Sequence, residues 1–319
     1  MDKAFSFVMA ILFFSTILSG CTALENDSDA NSDNIIDVPT WEIGENWLYT
    51  FTTPEYSDDT AKLVVASDSE EEGTAYMLTI SSLTEARRHA VLNHNPFLGR
   101  MTHSDLSTFE NGVPQLVMDF PLELSKIWNY TLFGMEWSAN VISIDRNIAV
   151  IQASSDEGSK LVYSYDSEIE FFRMFTWTDN ENIEQLKMMF VEKGDIYSGD
   201  VYFVRGGDLY SNTWQSNGPD IEIEDSFLVS NHPNDGEWDE MIYFLDAECG
   251  GGSSSITLTL RDHLSATALF RAYGPGSSEL GTLGTIPYPS EEYTLTATLT
   301  GNSMLRLIFA GGITQSWTL

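Results

Sequence analysis

Short runs of alternating apolar and polar residues, each closed by turn formers, recur along most of this 319-residue chain. Segments 47–51, 62–66, 76–80, 140–144, 148–153 and 160–165 show the pattern, and 255–260, 293–299 and 304–309 continue it. A period of two puts every second side chain on one face of a strand. The runs are rich in Val, Ile, Thr and aromatics, which suit a pleated surface, and Gly, Asn, Asp and Ser stand between them. Segments 68–73 and 154–158 read as hairpin tips. Long helical periodicity is absent, and 84–92 is the best candidate for a short helix. One-faced strands must bury that face against one another, so the pattern predicts an all-β fold.

An internal match divides the strand-rich region. Residues 42–51, with Trp47 and Tyr49, align with 123–132, with Trp128 and Tyr130, at an offset of 81. Arg100-Met101 then recurs as Arg173-Met174, and 113–120 recurs as 183–190, in the same order. This predicts a duplicated antiparallel β-domain over 41–195, with repeat one at 42–120 and repeat two at 123–190. Its two sheets would pack as a pair or close into a barrel. The recurring arginines are expected to pair with carboxylates at equivalent places. Trp47 and Tyr49 lie two apart on one strand face, as do Trp128 and Tyr130, so each pair reads either as core at a sheet junction or as a ligand platform. Glycines at 194, 199, 206, 207 and 218 mark 196–216 as a linker. About seven short strands from 217 to 319 then suit a C-terminal, jelly-roll-like β-sandwich.

Two resemblances accompany these motifs. Phe120-Pro121-Leu122 and the Trp128/Tyr130 strand resemble a segment of uncharacterised secreted β-rich lipoproteins, a family that implies no known activity. Asp225-Ser226-Phe227, Ile242 to Leu245 and Tyr293 to Leu295 resemble pre-peptidase C-terminal β-sandwich domains, with a glutamate where that type has glycine. That resemblance implies an accessory module that assists binding or folding.

The N-terminus reads as an address. Residues 1–20 carry Lys3, a 15-residue, nearly apolar run over 4–18, and the small pair Ser19-Gly20 before Cys21. The run is short for a membrane span. The segment resembles the signal peptide and lipobox of prokaryotic lipoproteins, which implies lipidation at Cys21 and a mature protein held on the extracytoplasmic face of a cell membrane. Residues 21–40 hold five carboxylates and no base, and read as an acidic, disordered tether.

Charge and chemistry narrow the function. The chain has 48 acidic and 15 basic residues, a net charge of −33, and no basic patch, which argues against a nucleic-acid partner. With Cys21 lipidated, Cys249 is the remaining cysteine, so no intramolecular disulfide is available. No Gly-x-Ser-x-Gly elbow and no His-Glu-x-x-His motif is present. His89, His94 and His103 cluster in sequence, but nearby Arg87, Arg88 and Arg100 oppose a cation, so the cluster reads mainly as a polar loop. The strongest candidate metal ligands are Asp235, Glu237 and Asp239, which could hold calcium in an acidic loop. The expected function is a membrane-anchored, non-enzymatic binding or scaffold protein for an envelope ligand or protein partner. The alternative is an extracytoplasmic carbohydrate-active hydrolase using paired carboxylates.

Overall fold

The computed structural model describes residues 35–69, 75–229 and 237–319. The chain is all-β with a single helix among the described residues. β1 (Asn46–Thr52), β2 (Asp59–Ser69) and β3 (Ala75–Ile80) precede helix α1 (Leu83–Leu92). The short strands β4 (Gly99–Thr102), β5 (Thr108–Glu110) and β6 (Val113–Gln115) follow. Next comes a meander of β7 (Ile127–Leu132), β8 (Met135–Asp145), β9 (Ile148–Ser155), β10 (Lys160–Asp166), β11 (Phe171–Thr178) and β12 (Glu184–Gly194). The last part comprises β13 (Asp200–Leu228), β14 (Glu240–Cys249), β15 (Ser255–Asp262), β16 (Thr267–Tyr273), β17 (Ser278–Pro287) and β18 (Glu292–Thr318).

The meander runs in spatial order from β7 to β12, and β1, β2 and β3 extend it as neighbours. Its pleat sends Trp137, Ile151, Tyr163, Phe175, Met188 and Phe51 to one buried face. Residues 36–41 cross the end where β1 and β7 begin. Ile36 pairs with Leu122 there, and Trp41 packs on Trp47, Tyr76 and Phe171. Residues 36–40 of the expected tether belong to the fold, because Ile36 and the following Trp41 bury more than 95% of their surface in this core; the expected signal peptide, Cys21 and the rest of the tether up to residue 34 lie outside the described residues.

Where a linker is expected over 196–216, the chain instead enters β13, a 29-residue strand paired along its length with the 27-residue β18. The sequence reading breaks this ribbon at its glycines, but the glycines bend it without ending it. Gly206 and Gly207 face Gly312 and Gly311 across the ladder, and Gly218 faces Gly301. At the Gly218/Gly301 corner, where both residues have positive φ, the ribbon passes from one sheet to another. On one side of the corner β18 pairs with β15, which carries β16; on the other it pairs with β14, which carries β17. Leu258, Leu260 and Leu295 from the first sheet meet Leu245, Leu305 and Phe309 from the second in one buried cluster, which makes the C-terminal β-sandwich.

The two parts do not separate at residue 217. Ile242, Phe244 and Ala310 of the sandwich belong to the same buried cluster as Trp47, Phe97 and Tyr163. Close approach explains the paired glycines. A β-carbon on Gly206 would lie 2.3 Å from the carbonyl oxygen of Ala90 in α1, and β-carbons on Gly207 and Gly311 would lie 2.5 Å and 2.3 Å from the Trp238 ring. The ribbon is thin here so that α1 can seat on one face and Trp238 on the other.

The first matched segment has the same local geometry in both places. Gly44 and Ser125 both adopt positive φ, and each donates its N–H to a valine carbonyl at a β-bulge, Val65 in β2 and Val141 in β8. The other two segments diverge. Arg100 lies on β4 and Arg173 on β11; Arg173 pairs with Asp166, but Arg100 stacks over Phe109 at 4.2 Å. Residues 113–115 form a separate small hairpin with β5, whereas the matched β12 lies within the large sheet.

Gly206→Ala forces the ribbon from Ala90 and is expected to cost about 1–3 kcal/mol of overpacking strain, read as a lower thermal midpoint. Gly251→Ala, where nothing lies within 4 Å, should leave the midpoint unchanged.

Candidate functional site

Two places carry chemistry worth weighing: a buried polar cluster around α1 and the outward face of the large sheet. The cluster follows from local sequence. Ser82 caps α1 by accepting the Glu85 N–H at 3.2 Å, and Asn93, at φ 51, closes it by donating to the His89 carbonyl. This turns Glu85 inward and Arg88 toward the 53–59 loop. Arg88 pairs with Glu85 and, at 2.9 Å, with Asp59, while its guanidinium lies 3.9 Å from the Tyr56 ring centre. His94 Nε2 lies 2.7 Å from the Tyr56 hydroxyl and 3.6 Å from Glu85 Oε2.

Burial works against the Glu85 charge, but His94 and Arg88 outweigh it and hold the carboxyl below its usual range. Burial and then Glu85 raise the Tyr56 hydroxyl far above its usual range. Enclosure, then His94, pushes His89 down to about 3, although part of the residue still reaches solvent. The adjacent Arg87 makes a bidentate pair with Glu240 of β14 at 2.9 and 2.8 Å, and Thr314 donates to the same carboxylate at 3.2 Å. Arg306 of β18 lies 3.7 Å from both Glu55 and Asp246. The buried carboxylates Glu85, Glu240 and Asp246 thus each face an arginine, and the pairs Arg87–Glu240 and Arg306–Glu55 tie α1 and the 53–59 loop to the sandwich.

The aromatic residues weighed as a platform are core. Trp47 and Tyr49 have no exposed surface and Trp128 and Tyr130 have less than 10%, because their strand face is the one the sheet buries. Their polar atoms are used internally: Trp47 Nε1 donates to the Ile169 carbonyl at 2.6 Å and Trp128 Nε1 to the Leu116 carbonyl at 2.7 Å. No ligand surface remains on them. Of the calcium candidates, Asp235 lies outside the described residues. Glu237 and Asp239 are exposed, and Asp239 accepts the Thr314 N–H at 3.1 Å. Among the described residues no group of three or more metal-ligating side chains converges. Cys249 is buried, which raises its thiol above the usual range, as suits an idle thiol.

The outward face of the large sheet escaped the sequence reading. One row across six strands is Asn140, Gln152, Val162, Thr176, Lys187 and Thr52; the next is Ser143, Val150, Ser164, Met174, Met189 and Thr50. None of the twelve is buried, none is a carboxylate, and one is basic. At about 4.8 Å per strand, the rows extend about 24 Å. The signal was present in the sequence: on β8 to β12 the positions between buried residues are mostly Ser, Thr, Asn, Gln and Val in an otherwise acid-rich chain.

No protein-family model and no curated protein sequence matches this chain. Solved structures resemble it distantly. A carbohydrate-binding module of the β-sandwich superfamily matches with a TM-score of 0.20 at 8% identity, over 61% of this chain and 95% of that one. Infectious bursal disease virus, Gx strain, matches at 0.18 and 11%, over 89% and 69%. The exo-β-1,3-galactanase of Phanerochaete chrysosporium matches at 0.18 and 6%, over 82% and 68%. Scores this low carry no argument about the site.

The α1 cluster sets a pH dependence. Between about pH 6.5 and 3 the unfolded chain binds a proton at His89 that the folded protein refuses, so stability falls as pH falls through that window. The Glu85 contribution has the same sign: it is present above the unfolded value of 4.5 and lost as pH falls through the lower folded value. Urea midpoints should drop steadily from pH 7 to pH 4, and His89→Gln should flatten the part of that drop above pH 4.5.

Proposed function

We propose that this chain is a non-enzymatic, lipid-anchored binding protein on the extracytoplasmic face of a cell membrane, and that it holds an uncharged envelope polysaccharide on the outward face of its large sheet. The observation that carries the reading is the pair of carboxylate-free rows. In a chain with a net charge of −33, most surfaces repel anions and gather cations. The rows instead offer hydroxyls and amides that donate and accept, interleaved with Val and Met. That combination suits a polymer of neutral sugar rings, which presents hydroxyl edges and aliphatic faces. The buried strand face beneath keeps the rows rigid, so little ordering entropy opposes binding. Lipidation at Cys21 supplies the anchor.

Retention of the mature chain on insoluble neutral glycans tests this. Binding should vary little between low and high salt, because no charge pair drives it. Gln152→Glu with Ser164→Glu should weaken it by about tenfold, from desolvating two added charges that have no cation directly across the ladder. Retention by acidic polymers alone, or binding unaffected by both substitutions, contradicts the assignment. Separately, Cys21→Ser should release the protein from membranes; continued membrane association contradicts the lipid anchor.

A further inference from the structure

We infer that the end of the large sheet where the tether enters rests on the lipid bilayer. The inference rests on the lipid-anchor reading above. β1 and β7 begin at one end of the sheet, and β8, β10 and β12 finish there, because each neighbouring pair is antiparallel. Five large aliphatic side chains stand exposed at that end. Ile43 (55%) and Leu124 (63%) occupy the matched turns that lead into β1 and β7, and Ile127 (70%) opens β7 itself. Ile35 (45%) lies next to Ile36, which pairs with Leu122 just before the second turn. Ile196 (89%) lies beside the first turn, because Tyr197 donates its N–H to the Gly44 carbonyl at 2.9 Å.

These side chains flank residues 36–41, the segment by which the N-terminal chain enters the fold. Scattered exposed aliphatics need no explanation. Five grouped where the anchored segment arrives are a different matter. Fourteen residues, 22–35, separate Cys21 from Ile36, and covalent geometry limits the reach of those fifteen Cα–Cα steps to at most about 54 Å whatever their conformation. A lipid on Cys21 therefore holds this end within a short distance of the surface, at a high effective concentration, where contacts too weak to bind alone suffice. The recurrence of an exposed aliphatic at both matched turns, six strands apart, gives the end two apolar feet in place of one patch.

Charge sets the kind of lipid. Glu42, Glu123 and Asp195 adjoin the aliphatic residues, and Lys126 nearby pairs with Asp119. Anionic head groups are repelled, so the contact is shallow and favours uncharged lipid. In this orientation the strands of the large sheet stand away from the membrane, and the carboxylate-free rows face sideways into the envelope.

The test uses the full lipidated chain in phosphatidylcholine vesicles, in a Cys249→Ala background. An environment-sensitive fluorophore is attached at Ile43→Cys, Leu124→Cys or, as the distal control, Glu181→Cys. A nitroxide on the lipid head group reports proximity, and intact mass on the same sample reports the lipid on Cys21. The expected result is a diacylglyceryl mass together with quenching at 43 and 124 at least about twofold greater than at 181, and less quenching when phosphatidylglycerol replaces part of the phosphatidylcholine. A diacylglyceryl mass with equal quenching at all three sites overturns the orientation and leaves the anchor standing. An unmodified Cys21 overturns the anchor and, with it, this inference. Fluorophore shielding that persists without lipid, together with a dimeric mass in detergent, assigns the end to a second copy of the chain and also overturns it.

Discussion

The long β13–β18 ribbon is the constraint on which the rest of the structure depends. Its ladder hydrogen bonds run through both parts of the molecule, and its glycine pairs decide where it can bend and what can sit against it. Gly218 opposite Gly301 makes the corner that gives the sandwich its two sheets. Gly206 and Gly207 opposite Gly312 and Gly311 make the thin place that admits Ala90 on one side and Trp238 on the other. Ordinary side chains at the thin place would push α1 away and uncover the apolar cluster that Val204, Ile242 and Ala310 share with the large sheet.

The polar seam works with that contact. Buried ion pairs seldom add net stability, because desolvation offsets most of their attraction, but breaking one leaves an uncompensated charge. Arg87–Glu240 and Arg306–Glu55 therefore act mainly as registration: they fix where α1 and the 53–59 loop meet the sandwich. The seam sets three of the chain's nine arginines, Arg87, Arg88 and Arg306, against carboxylates that are forced inside.

All-β architecture was legible from period-two alternation, and so were the helix near 84–92, the turn at 154–158 between β9 and β10, and the sandwich strand β15. The ribbon was not. Glycine is the residue by which local reasoning ends a strand, and here it serves close approach and bending, a demand set by Ala90 and Trp238 rather than by neighbours in sequence. The tryptophan–tyrosine pairs were legible as sharing a face, but which face is buried depends on partners as distant as Ile169 and Phe172, 122 and 123 residues along the chain from Trp47 and Tyr49. The Arg100 and Arg173 match misled for a related reason: a dipeptide repeats more readily than the strand context that gives it a role. The outward rows were hidden because each contributes only one residue per strand and becomes a surface only once the ladder registers are known.

If the ribbon joins the two parts into one folding unit, the chain must unfold as one. Differential scanning calorimetry of the mature protein measures this most directly. The account predicts a single transition whose calorimetric enthalpy equals its van't Hoff enthalpy. Two resolved transitions would show independent domains and contradict it.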